Sequence, residues 1–398
     1  MTKSKQPQYR FDSFEGEWEE KKLGEISRMF SGGTPNVGIP EYYNGNIPFI
    51  RSAEINSDQT ELSITDKGLS NSSAKLVEKN TLLYALYGAT SGEVGLSRIS
   101  GAINQAILAI IPEKKYSSLF IKNWLYKQKS SIIEKYLQGG QGNLSGSIVK
   151  ELTIHFPSLP EQEAIGELFQ TVDQLLQLQD QKLTTLKEQK QTFLRKMFPA
   201  QGQKVPEIRL QGFDGEWEEK KLGEISRMFS GGTPSVGISE YYNGNIPFIR
   251  SSEINSDQTE LFITNKGLSN SSAKIVEKNT LLYALYGATS GEVGLSRISG
   301  AINQAILAII PEKKYSSLFI KNWLYKQKSS IIEKYLQGGQ GNLSGSIVKG
   351  LELYLPSLPE QEAIGDFFQT LDQQMSQTED KLIELKALKQ TLLNRLFV

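Results

Sequence analysis

The side chains with the most capacity for specific chemistry lie in polar, glycine-rich loops that occur twice in the chain. Asn and Gln can each bind an adenine edge through two hydrogen bonds, Arg can bind guanine in the same way, and hydroxyls and backbone amides suit phosphate. The first set of candidate DNA-binding residues is Ser31, Gly33, Thr34, Arg51, Ser52, Asn56, Tyr87, Thr90, Ser91, Asn104, Gln105, Gln138, Gln141, Asn143 and Ser145. The second set is Ser230, Gly232, Thr233, Arg250, Ser251, Asn255, Tyr286, Thr289, Ser290, Asn303, Gln304, Gln337, Gln340, Asn342 and Ser344. The same residue types dominate ordinary turns, so one such loop alone carries little weight.

The patterns typical of catalysis and metal binding do not occur in the sequence. The glycine-rich loop at 138–143 lacks the Gly-Lys-Ser/Thr ending of a P-loop, and no Gly-x-Gly-x-x-Gly follows a strand-like stretch. The chain has no cysteine and a single histidine, His155, whose counterpart in the repeat is Tyr354. This leaves little for zinc binding or histidine acid–base chemistry, and it indicates a structural role for His155. We therefore expect no catalytic site and no metal site.

The composition is that of a globular protein long enough for two domains. Of 398 residues, 38% are hydrophobic and 22% are charged, and the formal net charge is zero. Zero net charge argues against a histone-like coating of nucleic acid but leaves local basic patches open. No run approaches the ~18 apolar residues of a membrane span, and the first ten residues are polar. We expect a cytoplasmic protein without a membrane partner.

An internal repeat organises the whole chain. From Phe14 to Phe198 the sequence recurs at a constant offset of 199, and between Gly16 and Lys150 only six positions differ. The six pairs are Asn36 and Ser235, Pro40 and Ser239, Ala53 and Ser252, Ser63 and Phe262, Asp66 and Asn265, and Leu76 and Ile275. The two halves are therefore copies in surface as well as core, and whatever one half binds the other should bind too.

Each globular half has an α+β pattern with short strands. Apolar runs at 81–87 and 102–111 predict strands, Ser117 or Ser118 can cap a following helix, and Pro160 suits the first turn of a long helix. The predicted division is a first globular half at 1–157, a helix at 158–198, a linker at 199–206, a second globular half at 207–356 and a second helix at 357–398.

The two long helical segments carry the seam of a coiled coil, with apolar residues advancing by alternating steps of four and three. The first seam is Ile165, Phe169, Val172, Leu176, Leu183, Leu186, Phe193 and Met197. The second seam, in the same register, is Ile364, Phe368, Leu371, Met375, Leu382, Leu385, Leu392 and Leu396. The helices differ at 18 of 39 positions but keep this pattern. Two matching seams in one chain predict that the helices pair as a spacer.

Two lysines on the seam indicate the direction of pairing. In a parallel pair Lys190 would face Lys389, and a buried pair of like charges is costly. In an antiparallel pair Lys190 meets Leu371 and Lys389 meets Val172. We therefore expect an antiparallel coiled coil with internal pseudo-two-fold symmetry. The alternative is that each helix packs on its own domain or forms a homodimer.

Six motifs follow one another in the same order along each half. They are Ser-Gly-Gly-Thr-Pro at 31–35, Glu-Tyr-Tyr-Asn-Gly-Asn-Ile-Pro-Phe-Ile-Arg at 41–51, Gly-Leu-Ser-x-Ser-Ser-Ala-Lys at 68–75, Tyr-Gly-Ala-Thr-Ser-Gly-Glu-Val-Gly at 87–95, Asn-Gln-Ala-Ile-Leu-Ala-Ile at 104–110 and Pro-Ser-Leu-Pro-Glu-Gln-Glu-Ala-Ile at 157–165. This order of motifs resembles the specificity subunit of type I restriction-modification systems, and the resemblance covers essentially the whole chain, twice.

The resemblance implies two target recognition domains that bind double-stranded DNA, each recognising half of a bipartite site, with the helices setting the gap. It implies two modification (methyltransferase) subunits docked on the helices, and restriction (translocase and nuclease) subunits. S-adenosylmethionine, ATP and Mg would belong to those partners, and this chain would bind no cofactor. Family members commonly carry two different recognition domains. Near-identical domains here predict an interrupted palindrome.

Two other classes of function remain open from the residues alone. A non-catalytic scaffold could hold paired protein- or glycan-binding domains apart on a coiled coil, and zero net charge mildly favours it. A self-contained nuclease or methyltransferase is disfavoured by the missing motifs. Salt dependence separates the first from DNA binding, since contacts to several phosphates weaken steeply between ~50 and ~200 mM salt.

Overall fold

The computed structural model describes residues 6–137, 143–336 and 342–398. The chain divides into two compact units, residues 1–180 with 380–398 (unit 1) and residues 181–379 (unit 2). The division falls inside both long helices. Each unit thus contains one globular half, the first part of the helix that follows it, and the last part of the other helix. The predicted domain boundaries stay a prediction.

Unit 1 alternates short strands with short helices before the first long helix. Its elements are β1 Glu19–Lys22, α1 Leu23–Ile26, β2 Ser27–Ser31, β3 Tyr43–Ile50, β4 Ser63–Ile64, α2 Asp66–Ser70, β5 Lys75–Val77, β6 Leu82–Ala85, β7 Val94–Leu96, β8 Gly101–Ile103, β9 Ile107–Pro112, α3 Ser118–Leu137, α4 Gly146–Lys150, β10 Thr153–Phe156 and α5 Leu159–Lys196. The fold class predicted from the sequence, α+β, is confirmed.

The strands of unit 1 form two four-stranded sheets and one two-stranded ribbon. The orders are β2-β9-β6-β7, β4-β3-β8-β5 and β1-β10. Among the described residues of this unit only β3 and β8 pair in parallel, with Phe49 opposite Ala102 and Ile50 opposite Ile103. Their carboxyl ends therefore lie side by side, and the loops that leave them start from one place.

The apolar run at 102–111 forms two strands, β8 and β9. Asn104 and Gln105 interrupt it, because the Oδ1 atom of Asn104 accepts a hydrogen bond from the backbone N–H of Ala106 at 3.1 Å. This side-chain turn competes with the strand and lets the chain leave β8 and enter β9 in the other sheet. The two amide side chains consequently lie at a strand end.

The central strands are buried on both faces, which explains their unbroken apolar sequence. Leu82 and Tyr84 face a core cluster that includes Trp18 and Phe120, while Leu83 and its neighbours face a second, smaller cluster. The side chain of Tyr84 is fully buried, and burial raises the pKa of its hydroxyl.

The end of the second long helix and the residue that follows it, Phe397, complete the core of unit 1. The ring of Phe397 lies 4.9 Å from that of Phe120 and 5.8 Å from that of Phe169, measured between centroids. The ammonium group of Lys127 donates to the carbonyl oxygen of Phe397 at 3.0 Å, across 270 positions of sequence. The globular half of this unit is therefore closed by a segment very distant from it along the chain.

Unit 2 repeats this arrangement. Its elements are β11 Glu218–Lys221, α6 Leu222–Ile225, β12 Ser226–Ser230, β13 Tyr242–Ile249, β14 Phe262–Ile263, α7 Asn265–Ser269, β15 Lys274–Val276, β16 Leu281–Ala284, β17 Val293–Leu295, β18 Gly300–Ile302, β19 Ile306–Pro311, α8 Ser317–Tyr335, α9 Gly345–Lys349, β20 Glu352–Leu355 and α10 Leu358–Leu396. Here Phe198, which follows the first long helix, takes the place of Phe397 and lies 5.1 Å from Phe319.

The long helices pair antiparallel within each unit, as the lysine argument predicted. In unit 2, Lys187 bonds Glu379 at 3.1 Å and Lys190 bonds Asp372 at 2.5 Å, so numbers rise along α5 as they fall along α10. In unit 1, Lys389 bonds Asp173 at 2.6 Å. The seam lysines thus meet carboxylates one residue beyond the apolar positions expected opposite them.

The buried stripe of each long helix widens at its C-terminal end. Phe193 and Leu392 are only partly buried, whereas the adjacent Leu194 and Leu393 are buried. The reason is that these ends enter a domain core, where apolar neighbours surround the helix on more than one side. In the described ranges, no helix has the length and apolar character needed to cross a bilayer.

Candidate nucleic-acid interface

Three of the predicted loops start from, or cross, the carboxyl ends of β3 and β8. Arg51 follows Ile50 and Asn104 follows Ile103, and the backbone N–H of Asn104 donates to the carbonyl oxygen of Ile50 at 3.4 Å. The parallel pairing thus brings two predicted site residues, 53 positions apart in the sequence, to adjacent places. In unit 2 the same pairing of β13 with β18 places Arg250 and Asn303 at adjacent strand ends.

The Ser31–Thr34 loop lies directly against the end of β8. A Cβ atom on Gly32 would lie 1.8 Å from the carbonyl oxygen of Ile103, so only glycine fits there. At Gly33 a Cβ atom would lie 2.6 Å from that of Ser73. The hydroxyl of Thr34 then donates to the Oε1 atom of Gln105 at 2.5 Å. The matching loop of unit 2, which contains Ser230 and Gly232, has the same close approach to Ser272.

Gln105 is an exposed residue, and Thr34 bonds the oxygen of its side-chain amide but not the nitrogen. In unit 2 the hydroxyl of Thr233 donates to Gln304 at 2.6 Å. Because Thr34 occupies the oxygen, the orientation of the amide is set and its N–H groups can donate to a base acceptor. Tyr87 joins the group: burial raises its pKa, and a hydrogen bond with Gln105 opposes that rise.

The turn from β6 to β7 holds Tyr87 and Thr90 in place. Gly88 and Gly92 adopt positive φ angles of 86° and 79°. The hydroxyl of Ser91 donates to the carbonyl oxygen of Gly88 at 2.9 Å, so in this structure it serves the turn. The equivalent turn of unit 2 carries Tyr286 and Thr289, and there Ser290 donates to Gly287 at 2.8 Å.

The remaining predicted loop reaches the same turn. The backbone N–H of Leu144 donates to the carbonyl oxygen of Leu86 at 3.0 Å. Asn143 is exposed, whereas the hydroxyl of Ser145 accepts from the N–H of Ile148 and caps α4. Asn342 and Ser344 have the same environments. The predicted residues Gln138, Gln141, Gln337 and Gln340 lie outside the described residues.

Arg51 is held by two carboxylates. Its Nε and Nη2 atoms donate to Glu54, both at 3.1 Å, and Nη2 also donates to Glu61 at 2.5 Å. These bonds, to Glu54 first and to Glu61 next, raise the pKa of the guanidinium. Burial by itself would raise the pKa of Glu54, but the bonds from Arg51 and two backbone N–H groups outweigh it and lower that pKa.

Ser52 and Asn56 lie in the loop that follows Arg51. Ser52 begins a 3-10 turn that ends at Glu54, and Asn56 packs on Gly95, where a Cβ atom would lie 2.1 Å from its Oδ1 atom. The corresponding turn in unit 2 begins at Ser251, and Asn255 packs in the same way on Gly294.

Sequence reasoning missed the ion pairs that hold these loops and their domain. Glu161 has no exposed side-chain surface, and Arg10 binds it with both Nε and Nη2, at 2.8 and 2.7 Å. Arg209 and Glu360 repeat this pair with the same separation of 151 residues. Each of these ion pairs joins the segment before a globular half to the helix after it. Their identical spacing in the two repeats is the signal from which the sequence could have predicted them.

The architecture defines a class of protein: two copies of a polar loop cluster, each on an α+β domain that packs on a pair of long helices. The family model described as "Type I restriction modification DNA specificity domain" matches residues 15–188 and 214–387. The chain therefore belongs to the type I restriction-modification DNA specificity family.

Individual relatives are distant in sequence. The chain is 23% identical over 408 residues to the type I restriction enzyme MjaIX specificity subunit of Methanocaldococcus jannaschii, covering 96% of this chain and 92% of that protein. It is 27% identical over 185 residues to the EcoR124I/EcoR124II specificity subunit of Escherichia coli, covering 44% of this chain and 46% of that one.

Solved structures share the fold over the full length. The S subunit of the type I restriction-modification system from M. genitalium superimposes with a TM-score of 0.70 at 19% identity, covering 99% of both chains. A chain from a structure of the type I R-M system has a TM-score of 0.55 at 17% identity, with 98% of this chain and 99% of that chain covered.

Proposed function

We propose that the chain is the DNA specificity subunit of a type I restriction-modification complex and that each unit recognises one half of a bipartite DNA site. The observation that carries the proposal is the convergence, in each unit, of an arginine, an oriented glutamine and a tyrosine on neighbouring loop ends. These groups match the hydrogen-bonding edges of bases in the major groove. Family membership assigns DNA specificity to the same domains.

The subunit itself is non-catalytic. Its relatives are named specificity subunits. Methylation and cleavage would belong to two modification subunits and to restriction subunits, which would use S-adenosylmethionine, ATP and Mg.

The paired helices would act as the spacer and as the docking surface for the modification subunits. α5 has 38 residues and α10 has 39, so each is roughly 57 Å long at about 1.5 Å per residue. Two weak recognition domains joined by a stiff spacer bind tightly only when the half-sites have the matching gap, with a gain of about 10²- to 10⁴-fold.

The near identity of the two recognition domains leads us to propose an interrupted palindrome as the target. The antiparallel pairing of the helices supports this, because identical domains on antiparallel supports would meet the same bases on opposite strands. Among the six differences, Ala53 and Ser252 lie in the 3-10 turn between the arginine and glutamate of the recognition loop. That pair is where the two half-sites would first diverge.

The test is to co-express the chain with a compatible modification subunit and to map N6-methyladenine across the host genome. We expect an interrupted palindrome with one fixed gap. A gapped direct repeat would overturn the antiparallel assignment. No methylation, with the complex confirmed by co-purification, would overturn DNA specificity and favour the scaffold.

A variant tests the contribution of the oriented glutamine in each unit: Gln105→Ala with Gln304→Ala. It should still form the complex but lose discrimination at one position in each half-site.

A further inference from the structure

The carboxylates around Arg51 differ sharply in exposure. Glu54 has 11% of its side-chain surface exposed, Arg51 has 35% and Glu61 has 79%. The equivalent values for Glu253, Arg250 and Glu260 are 11%, 34% and 80%. The guanidinium therefore lies between one largely buried carboxylate and one that projects into solvent.

Glu54 is part of the framework of the loop. Its carboxylate accepts hydrogen bonds from the backbone N–H of Arg51 at 3.0 Å and of Glu61 at 2.8 Å, as well as from the guanidinium. It thereby closes the loop from 51 to 61 and fixes the plane of the guanidinium through Nε and Nη2. Arginine fixed in this way presents its remaining N–H groups in a rigid fork.

Glu61 contacts the guanidinium of Arg51 only through its Nη2 atom. Its Oε2 atom accepts from Nη2 at 2.5 Å, while Nε and the other Nη2 hydrogen belong to Glu54. An ion pair this exposed contributes little to stability, and Glu61 can therefore leave Arg51 at low cost. Glu54 cannot, because it is largely buried and its carboxylate also accepts hydrogen bonds from two backbone N–H groups.

We infer that Glu61 is a displaceable stand-in for a guanine edge, and that Arg51 recognises guanine through its Nη1 and Nη2 atoms once Glu61 has moved away. In unit 2, Glu260 has the role of Glu61 and Arg250 has the role of Arg51. The inference rests on the proposed function. Guanine offers two acceptors, O6 and N7, that match an arginine fork, and a guanidinium held in plane by Glu54 suits this bidentate contact better than a single phosphate oxygen.

This arrangement raises specificity because DNA must compete with the Glu61 carboxylate for the guanidinium of Arg51. Arg51, Glu54 and Glu61 together carry one net negative charge, which repels the DNA backbone while Glu61 is in place. A base that lacks two suitable acceptors cannot displace Glu61, so this charge stays against the backbone of wrong sequences, whereas guanine moves it away.

The test compares full-length chains in complex with modification subunits, on DNA that carries the methylated motif and on DNA with one guanine at a time replaced by 7-deazaguanine, which lacks the N7 acceptor. The variant is Glu61→Gln with Glu260→Gln. Its control is Glu41→Gln with Glu240→Gln, which alters an exposed ion pair to Lys67 and Lys266 on another part of each domain.

We expect Glu61→Gln with Glu260→Gln to strengthen binding to non-cognate DNA several-fold more than to cognate DNA, and the control to do neither. In the wild-type complex, one 7-deazaguanine per half-site should weaken binding about 5- to 100-fold. Arg51→Met with Arg250→Met should abolish the sensitivity to that substitution, because methionine has no N–H donor for N7.

Equal behaviour of the Glu61 and Glu41 variants would overturn the inference, as would a motif without guanine in its half-sites. So would a uniform loss of affinity in the Arg51→Met complex with a lower salt slope, which marks a phosphate contact. Failure of the wild-type complex to bind its own methylated motif would instead refute the proposed function.

Discussion

Asp173 is the position at which one substitution should most clearly show how each recognition domain is fixed to the helices. Its carboxylate bonds Lys122 of α3 at 2.7 Å and Lys389 of α10 at 2.6 Å. Lys389 also lies 4.3 Å from the ring centroid of Tyr126. One carboxylate on α5, placed one residue after the seam residue Val172, thus joins three elements of unit 1.

The size of the effect follows from burial and charge. Lys122, Lys389 and Asp173 expose 18%, 15% and 28% of their side chains. Removing one partner from a buried ion pair costs about 3–5 kcal/mol, and we take the low end, about 3 kcal/mol, because part of this cluster reaches water. Asp173→Asn leaves two ammonium groups without a carboxylate. For a unit of this size that loss lowers the melting temperature by roughly 6–12 °C.

The two lysines should matter less than the aspartate. Lys389→Met keeps the aliphatic stem and leaves the neutral pair of Lys122 with Asp173, so we expect less than half the loss. Asp372→Asn in unit 2 should match Asp173→Asn, since Lys321 and Lys190 bond Asp372 at 2.9 and 2.5 Å.

The assay is denaturant unfolding of the full chain, with Glu163→Gln as the control because Glu163 is an exposed carboxylate on the same helix. A loss for Asp173→Asn no larger than that of the control would refute the reasoning. So would a larger loss for Lys389→Met than for Asp173→Asn, since the ordering follows from the charges.

The same cluster predicts a pH dependence. Burial alone would raise the pKa of Asp173, but Lys122 and Lys389 outweigh it and hold the pKa below its ordinary value. A carboxylate with a lowered folded-state pKa stabilises fully above its unfolded pKa of about 4, and the stabilisation is lost as pH falls through the folded value. The difference between wild type and Asp173→Asn should therefore shrink below about pH 4.

Three further predictions concern buried groups. Arg10→Ala leaves the fully buried Glu161 unpaired and should cost about 3–5 kcal/mol in urea unfolding; a loss under about 1 kcal/mol would contradict the pairing. Tyr84→Phe removes a buried hydroxyl without a partner among the described residues, so stability should be unchanged or up to about 1 kcal/mol higher; a clear loss would reveal a hidden partner. Phe397→Ala should cost about 3–5 kcal/mol, and hydrogen exchange should rise in peptides of unit 1, not unit 2.

Residue types and their spacing were enough to predict several features of the helices and of the candidate site. Lys190 and Lys389 on the seam predicted the antiparallel direction, because two like charges are costly in one core. The partners of these lysines were not predicted, since Asp173 and Asp372 lie one residue off the seam and their role depends on the helix that packs across it. Likewise Arg51 was predicted as a base contact, but its two carboxylates depend on how the loop from 51 to 61 folds back.

The sequence by itself determined the duplication, the helical seams, the polar character of the loops and the family. These are encoded in local periodicity and residue order, which fix which side of an element is buried. Only the tertiary structure decided which loops meet and what closes each domain. The parallel pairing of β3 with β8 brings Arg51 beside Asn104, and Phe397 and Phe198 each complete a core far from them in sequence. Such contacts depend on strand register and helix direction over long separations, and no local pattern specifies them.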